Sequence, residues 1–221
     1  MIKIENVEIQ GFEPAIRGMR NPMNSWDKSD SGFSFCDDAC DIEDLYFEIG
    51  PNDLDLMKRL AAGGPVHAKY RRMLIVYADV TAPLYWWKEY DTYKVGTVAN
   101  SCSTMHKIHA KPFELDDFSH DQLTDSAIED CLEKTIEYLN VARKMYIKSN
   151  NKSKAAWWQM IQLLPSSYNQ KRTIMLSYEV LHNIYICRRN HKLDEWHKFC
   201  DWIESLPYAK EIIDVGEKVH E

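Results

Sequence analysis

The sequence predicts an α+β fold in which a small β-sheet comes early and helices fill the C-terminal half. Two segments predict the strands: IKIENVEIQG alternates apolar and polar residues, and RRMLIVYADVTAP is a β-branched, apolar run that ends in Pro83. From Ser119 onward, apolar residues recur with a helical period. At 221 residues the chain can bury a substantial core, so we expect a single domain over residues 1–221.

Composition and charge indicate a globular protein and argue against two kinds of partner. Hydrophobic residues make up 45% of the chain, which favours a packed core over disorder. The net charge of −7 does not favour a nucleic-acid groove, and no run approaches the roughly 20 apolar residues that cross a bilayer. Because no apolar signal segment follows Met1, we expect a cytoplasmic protein with no membrane or nucleic-acid partner.

Residues 17–50 are expected to form a long loop, because their first half is rich in Asn, Ser, Asp and Gly. Loops of this length in compact domains are often functional, although a solvated excursion explains the composition equally well. Arg17, Arg20 and Lys28 are the cations that this loop offers to a phosphate. We take Arg20 as the substrate-binding candidate among them.

Metal binding has two weak candidates in the same segment. Cys36 and Cys40 in CDDAC have the spacing that starts a zinc site, but no second close pair of Cys or His completes it. A metal-dependent enzyme is an alternative built on the neighbouring carboxylates Asp37, Asp38, Asp41, Glu43 and Asp44. Such a cluster is more often a solvated face, so we predict no metal and read the six cysteines as thiols.

Helical patterns account for most of the remaining chain. PNDLDLMKRLAAGG is amphipathic, begins at Pro51 and stops at two glycines, and LYWWKEYDTYK also has helical character. In the helical part, residues 119–221, a stripe from Ile128 to Met145 predicts one long helix. Further helices are predicted at 153–164, 171–189, 192–205 and 208–219.

The stretch DTYKVGTVANSCSTMHKI, residues 91–108, is the strongest candidate for a binding site. Its short side chains leave room for a ligand, and its hydroxyl and amide groups can bond phosphate or base edges. Lys88, Lys94 and Lys107 supply positive charge nearby. No His and Asp partners are readable at fixed spacing, so we predict no hydrolase triad. The stretch is thus either one wall of a nucleotide site or an ordinary polar loop.

The order of these elements resembles the ThyX family of flavin-dependent thymidylate synthases from Leu54 to Leu206. In that family a histidine precedes a core strand, an Arg-His-Arg signature and a serine-rich run follow the strand, and a late helix carries an arginine. Here His67 corresponds to the early histidine, and WKEYDT stands at the signature with Thr92 as its hydroxyl. NSCSTMH stands at the serine-rich run, and Arg188 corresponds to the late arginine.

The resemblance implies a ThyX-like α+β subunit, a homotetramer with sites between subunits, and a dUMP-like nucleotide as ligand. It implies FAD as cofactor, NADPH and methylenetetrahydrofolate as co-substrates, and the reductive methylation of dUMP to dTMP as the reaction. His67, Lys88 and Thr92 would then bind the cofactor. We add Lys94 to this group for its charge near the serines.

The resemblance further implies Ser101, Ser103 and Arg188 as the catalytic group, with the serines lining the nucleotide pocket and Arg188 contacting the pyrimidine. Asn100 and His106 flank the serines and are expected to bind substrate. These assignments follow from the resemblance and from the polar character of the stretch.

A departure from the family motif keeps a second function open. Trp87, Lys88 and Glu89 stand where the family has Arg-His-Arg, and a lysine does not reproduce the bidentate phosphate grip of an arginine. The alternative is therefore a catalytically inactive nucleotide-binding or assembly protein on the same fold.

Overall fold

The computed structural model describes residues 1–35 and 45–213. Its strands are β1 (Lys3–Gln10), β2 (Gly32–Phe35), β3 (Leu45–Glu48), β4 (Ile75–Pro83), β5 (Thr97–Ser101) and β6 (Asn169–Ser177). Its α-helices are α1 (Phe12–Arg20), α2 (Pro51–Ala62), α3 (Leu84–Tyr90), α4 (Ser126–Lys148), α5 (Lys154–Leu163), α6 (Tyr178–Arg188), α7 (Asp194–Ser205) and α8 (Ala209–Ile212). The predicted α+β class is confirmed.

The strands form two sheets. One has four strands in the order β1-β4-β6-β5, and the other is the antiparallel pair β2–β3, in which Gly32 faces Glu48. The chain divides into two compact units. Unit 1 comprises Met1–Asn6, Ala78–Tyr93 and Ala99–Ile174, and unit 2 comprises Val7–Tyr77, Lys94–Val98 and Met175–Glu221.

In unit 1, helices α4 and α5 pack against each other as a hairpin and contribute buried residues to a hydrophobic core. Helix α4 buries Ile136, Leu139 and Ala142 against aromatic residues of the preceding segment, as its apolar stripe predicts. The ends of that stripe, Ile128 and Met145, are instead more than half exposed. No helix in the described part of the chain is both long enough and apolar enough to span a membrane.

The core of unit 2 is built from helices α6 and α7, whose facing sides are fully buried. Trp196 and Phe199 of α7 pack edge to face with 5.8 Å between ring centroids. The turn from β1 to α1 depends on Gly11, which has a φ of 101°. A Cβ at this position would lie 2.1 Å from the carbonyl oxygen of Met73, so a side chain does not fit.

Two predictions about secondary structure were wrong. Residues 17–50, predicted as a loop, contain the end of α1 and the strands β2 and β3. The predicted helix 171–189 begins as strand β6 and becomes helix α6 only at Tyr178. Ile174 and Leu176 are buried while their neighbours are less so, which is the two-residue period of a strand. A short apolar run of this kind suits either period in the sequence alone.

Candidate functional site

Unit 2 contains a cavity of about 880 Å³, which we call the unit-2 cavity. Its lining includes the apolar residues Ile75, Val95, Met175, Val180 and Ile186. It also includes polar and charged groups from Arg72, Ser177, Glu179, His182 and Asn183. A cavity of this size with a few convergent polar groups is typical of a small-molecule site.

The unit-2 cavity lies where strand β6 passes directly into helix α6. Ser177 ends the strand and caps the helix, with its Oγ accepting a hydrogen bond from the Val180 amide at 3.4 Å. The Tyr178 amide donates to the Leu74 carbonyl oxygen at 3.0 Å and fixes the helix start against the chain that leads into β4. Gly96, with a φ of 76°, brings the turn before β5 against Val180.

Charged side chains cluster at the unit-2 cavity. Glu179 lies between two arginines, with 3.8 Å from Oε2 to Arg71 Nη1 and 3.9 Å from Oε1 to Arg72 Nη2. Arg71 is 1% exposed. The adjacent Tyr70 is buried, and this burial raises its pKa to about 12 although the positive charge of Arg71 opposes the shift.

Unit 1 contains a smaller cavity of about 390 Å³, the unit-1 cavity. It is lined by short polar side chains, lysines, a tyrosine and a carboxylate, including Ser103, Lys107, Lys111, Asp117, Tyr168 and Lys171. Burial raises the pKa of Tyr168 above its ordinary value. Lysines and hydroxyls in one concave surface favour an anionic or phosphate-bearing ligand.

The backbone around the unit-1 cavity is held by β6. The Cys102 amide donates to the Lys171 carbonyl oxygen at 2.9 Å, and Gln170 Nε2 donates to the Cys102 carbonyl oxygen at 2.7 Å. Lys171 Nζ lies 3.0 Å from Asp79 Oδ2, and this hydrogen bond raises the pKa of Lys171. Ser103 Oγ accepts hydrogen bonds from the amides of Met105 and His106 at 3.2 and 3.0 Å.

The predicted stretch 91–108 is divided between the two units. Ser103 lines the unit-1 cavity, whereas Asn100 and Ser101 are exposed on β5. His106 is exposed and lines a separate depression in unit 1 together with Trp157. Thr92 is exposed, and its hydroxyl donates to the Glu89 carbonyl oxygen at 2.7 Å.

The candidates in unit 2 do not gather around one point. His67 is exposed in the turn after α2, and Lys94 is exposed beside the cavity residue Val95. Arg188, at the end of α6, places its guanidinium 4.8 Å from the ring centre of Trp196. None of these three side chains lines the unit-1 cavity or the unit-2 cavity.

Arg20, which was predicted to bind substrate, forms a buried ion pair with Asp53 of α2. Its Nε donates to Asp53 Oδ1 at 2.6 Å, and its Nη1 donates to the Ser25 carbonyl oxygen at 3.2 Å. The residue is 4% exposed. Its charge is therefore already matched by a buried carboxylate.

The segment that corresponds to the Arg-His-Arg signature is helix α3. Trp86 and Trp87 are fully buried, and Lys88 is exposed. Trp87 Nε1 donates to the Gln170 carbonyl oxygen at 2.9 Å, and the Arg172 guanidinium lies 4.2 Å from the Trp87 ring centre. The tryptophans thus build the core of unit 1.

Residues 1–35 and 45–213 contain no group of three or more His, Cys, Asp or Glu side chains that could hold a metal ion. Within these ranges the cysteines at 102, 131, 187 and 200 are free thiols. Cys36, Cys40 and the acidic cluster 37–44 lie outside the described residues.

Sequence reasoning missed the charged wall of the unit-2 cavity. Arg72 precedes β4, and Glu179 and Asn183 lie on α6, so no local motif joins them. The one available signal was the polar residues of YEVLHN within an otherwise apolar helix.

Comparison with solved structures shows that this α+β chain has the fold of the flavin-dependent thymidylate synthases. A crystal structure of thymidylate synthase X (ThyX) from Helicobacter pylori with FAD and dUMP matches with a TM-score of 0.66 and 13% identity, over 97% of this chain and 98% of that chain.

A second crystal structure, of the flavin-dependent thymidylate synthase ThyX from Helicobacter pylori complexed with FAD and dUMP, matches with a TM-score of 0.63 and 16% identity. It covers 95% of this chain and 99% of that chain. No family model and no curated protein sequence matches the chain. At these identities the comparison defines the fold.

Proposed function

We propose that this chain binds a flavin and a pyrimidine nucleotide, and that its reaction is the reductive methylation of dUMP to dTMP. The observation that carries the proposal is the unit-2 cavity at the start of α6, which combines apolar lining residues with the groups of Arg72, Glu179 and Asn183 in a ThyX-like fold. The same proposal includes a homotetramer in the cytoplasm.

The two cavities have the chemistry for two ligands. The apolar lining residues of the unit-2 cavity suit an isoalloxazine ring, and Asn183 and His182 offer amide and imidazole groups to its polar edge. His182 Nδ1 lies 2.5 Å from the Ile213 carbonyl oxygen, so Nδ1 carries the proton and Nε2 is the acceptor in the neutral ring. FAD, when bound, would supply the redox chemistry of the reaction.

The unit-1 cavity suits the nucleotide. Lys107 and Lys171 would attract its phosphate, and the Ser103 hydroxyl would hydrogen-bond to it. NADPH and methylenetetrahydrofolate are the co-substrates that the proposed methylation requires.

The test measures binding and turnover separately. Purified protein is titrated with FAD and dUMP, and tritium release from C5 of labelled dUMP is then followed with NADPH and methylenetetrahydrofolate. The proposal expects saturable binding of FAD and dUMP. It also expects tritium release that requires FAD, NADPH and methylenetetrahydrofolate together. A protein that binds neither ligand contradicts it.

The second candidate is a flavin- and nucleotide-binding protein without methylation chemistry. It is favoured by helix α3, where Trp87, Lys88 and Glu89 stand at the signature position and Trp87 is fully buried. This candidate predicts binding of FAD and dUMP with no tritium release above a boiled control.

A further inference from the structure

The turn between α4 and α5 borders a third cavity of about 490 Å³ in unit 1, which we call the hairpin cavity. A volume of this size accommodates a small molecule. The described residues that line it are not shared with the unit-1 cavity, so it is a separate candidate site. Its lining includes His106, Tyr146, Asn151, Lys152, Lys154 and Trp157.

Positive charge is concentrated at the hairpin cavity. Residues 138–164 contain five basic residues and no Asp or Glu, although the net charge of the chain is −7. Two of the five, Lys152 and Lys154, line the cavity, and the ammonium group of neither forms an ion pair or hydrogen bond with the described residues. No described lining residue carries a carboxylate. Two lysines that the protein does not neutralise favour a negatively charged ligand.

Two aromatic rings of the lining offer a surface for stacking. Tyr146 of α4 and Trp157 of α5 pack against the hydrophobic core of unit 1 and also line the hairpin cavity. Trp157 Nε1 donates to the Met105 carbonyl oxygen at 3.0 Å, which fixes the indole against the segment that follows β5. A planar ring of a ligand gains free energy by stacking on such side chains.

The turn that carries Lys152 is held in place by hydrogen bonds. Ser149 Oγ accepts from the amides of Lys152 and Ser153 at 3.1 and 2.8 Å. The Asn151 amide donates to the Tyr146 carbonyl oxygen at 3.1 Å. Asn151 and Lys152 therefore line the cavity from an ordered backbone, which lowers the entropy cost of binding a ligand there.

We propose that the hairpin cavity binds a ligand that joins an aromatic ring to at least two negative charges. The ring stacks on Tyr146 or Trp157. Lys152 and Lys154 bind the negative groups. A nucleoside diphosphate and an aromatic dicarboxylate share this chemistry, with phosphates in one and carboxylates in the other. The site is independent of the proposed function, because the unit-2 cavity and the unit-1 cavity take no part in it.

The test measures binding to the full chain by titration calorimetry with two probes, ADP and N-benzoylglutamate. Adenosine is the control that lacks the charges, and inorganic pyrophosphate is the control that lacks the ring. The wild type should bind at least one of the two probes about tenfold more tightly than either control, because stacking and charge-assisted hydrogen bonds both contribute.

Variants assign the binding to the hairpin cavity. Lys152→Gln combined with Lys154→Gln should weaken binding of the preferred probe by about tenfold or more, because two charge-assisted hydrogen bonds are lost. Lys148→Gln is the matched control, since Lys148 is an exposed lysine at the end of α4 that does not line the cavity. Trp157→Leu should weaken binding by about tenfold. Its control is Trp158→Leu, because Trp158 is 42% exposed and does not line the cavity.

The outcomes decide both the site and the ligand. Weaker binding in the double lysine variant, with Lys148→Gln within about twofold of the wild type, supports the site. Tighter binding of ADP then identifies phosphates as the negative groups, and tighter binding of N-benzoylglutamate identifies carboxylates.

Three results overturn the proposal: a wild type that binds neither probe, a double lysine variant with unchanged affinity, and a control compound that binds as tightly as the preferred probe. If Trp157→Leu does not fold, the comparison with pyrophosphate decides the role of the ring. FAD and dUMP binding is measured separately, so each of these results leaves the proposed function standing.

Discussion

Arg20 and Asp53 form a buried ion pair, with 2.6 Å between Arg20 Nε and Asp53 Oδ1 and side chains that are 5% and 0% exposed. The second carboxylate oxygen, Oδ2, accepts hydrogen bonds from the hydroxyls of Ser29 and Ser31, each at 2.7 Å, and from the amides of Asp30 and Ser31. One carboxylate on α2 therefore fixes the chain between α1 and β2.

Replacement of Asp53 by Asn should destabilise the fold by about 3 kcal/mol, because it leaves Arg20 buried without a counter-charge. The measurement is the free energy of unfolding in urea. Asp55→Asn is the control: Asp55 is an exposed neighbour on the same helix, and its loss should cost under about 0.5 kcal/mol. A similar small change in both variants would contradict the structural role of the pair.

The same carboxylate should make stability depend on acid pH. Burial disfavours its charged form, but hydrogen bonds from Ser31, Ser29 and Arg20 outweigh this, and the pKa of Asp53 is lowered from 3.8. A lowered folded-state pKa adds stability that is present above the unfolded pKa and is lost as the pH falls through the folded-state pKa.

The difference in unfolding free energy between the wild type and Asp53→Asn should therefore be constant from pH 7 to about pH 5 and shrink below about pH 4. Urea unfolding at a series of pH values measures it. A difference that grows on acidification would show the opposite sign of shift.

Gly11→Ala should destabilise the protein by about 2 kcal/mol or more, since its backbone is left-handed and the new Cβ would collide with the Met73 carbonyl oxygen. Gly32→Ala is the control, because nothing lies within 4 Å of a Cβ built at Gly32. Thermal unfolding of both variants gives the comparison. Equal midpoints would mean that the turn before α1 adapts freely.

Trp87→Phe should cost about 1–2 kcal/mol, because it leaves the buried Gln170 carbonyl oxygen without its indole donor and replaces the indole beneath Arg172 by a smaller ring that attracts a cation less strongly. Trp158→Phe is a matched control at a residue that is 42% exposed. The free energies of unfolding of the two variants are measured by urea denaturation, with circular dichroism as the signal. A neutral Trp87→Phe would contradict the role of α3 as a core helix.

Ser103→Ala should weaken dUMP binding by about tenfold, because Ser103 lines the unit-1 cavity and also holds the amides of Met105 and His106. Ser101→Ala should change it by less than about twofold, because Ser101 is exposed on β5 and does not line the cavity. Titration calorimetry with dUMP measures both. A larger loss of dUMP affinity in Ser101→Ala than in Ser103→Ala would indicate that the nucleotide binds at the exposed face of β5.

Sequence patterns predicted the elements whose burial has a clear period. Strand β4 and helix α2 were predicted correctly because their apolar residues repeat at two and at about 3.6 positions. Strand β6 was mistaken for helix because its identity depends on pairing with β4 and β5, which lie far away in the sequence. Strands of this kind are defined by the sheet more than by local preference.

The residues of the candidate site likewise divide into those that local sequence patterns indicated and those that they did not. Ser103 and Lys107 were predicted from a local surplus of polar residues, and both line the unit-1 cavity. Arg72 and Glu179 were missed because only the folded chain brings the end of one segment to the start of α6. The buried partner of Arg20 was not predicted, because a charge in a polar segment carries no sign of a carboxylate on another helix.

Helix α6 follows strand β6 with no intervening loop, since Ser177 belongs to the strand and also caps the helix. The lining residues Glu179, Val180 and Asn183 therefore stand on a helix whose start is fixed by a hydrogen-bonded strand. The turn around Gly96 adds Val95 and Gly96 to the lining and packs against Val180. We expect the unit-2 cavity to discriminate between ligands by the shape of the surface that this continuous strand and helix present.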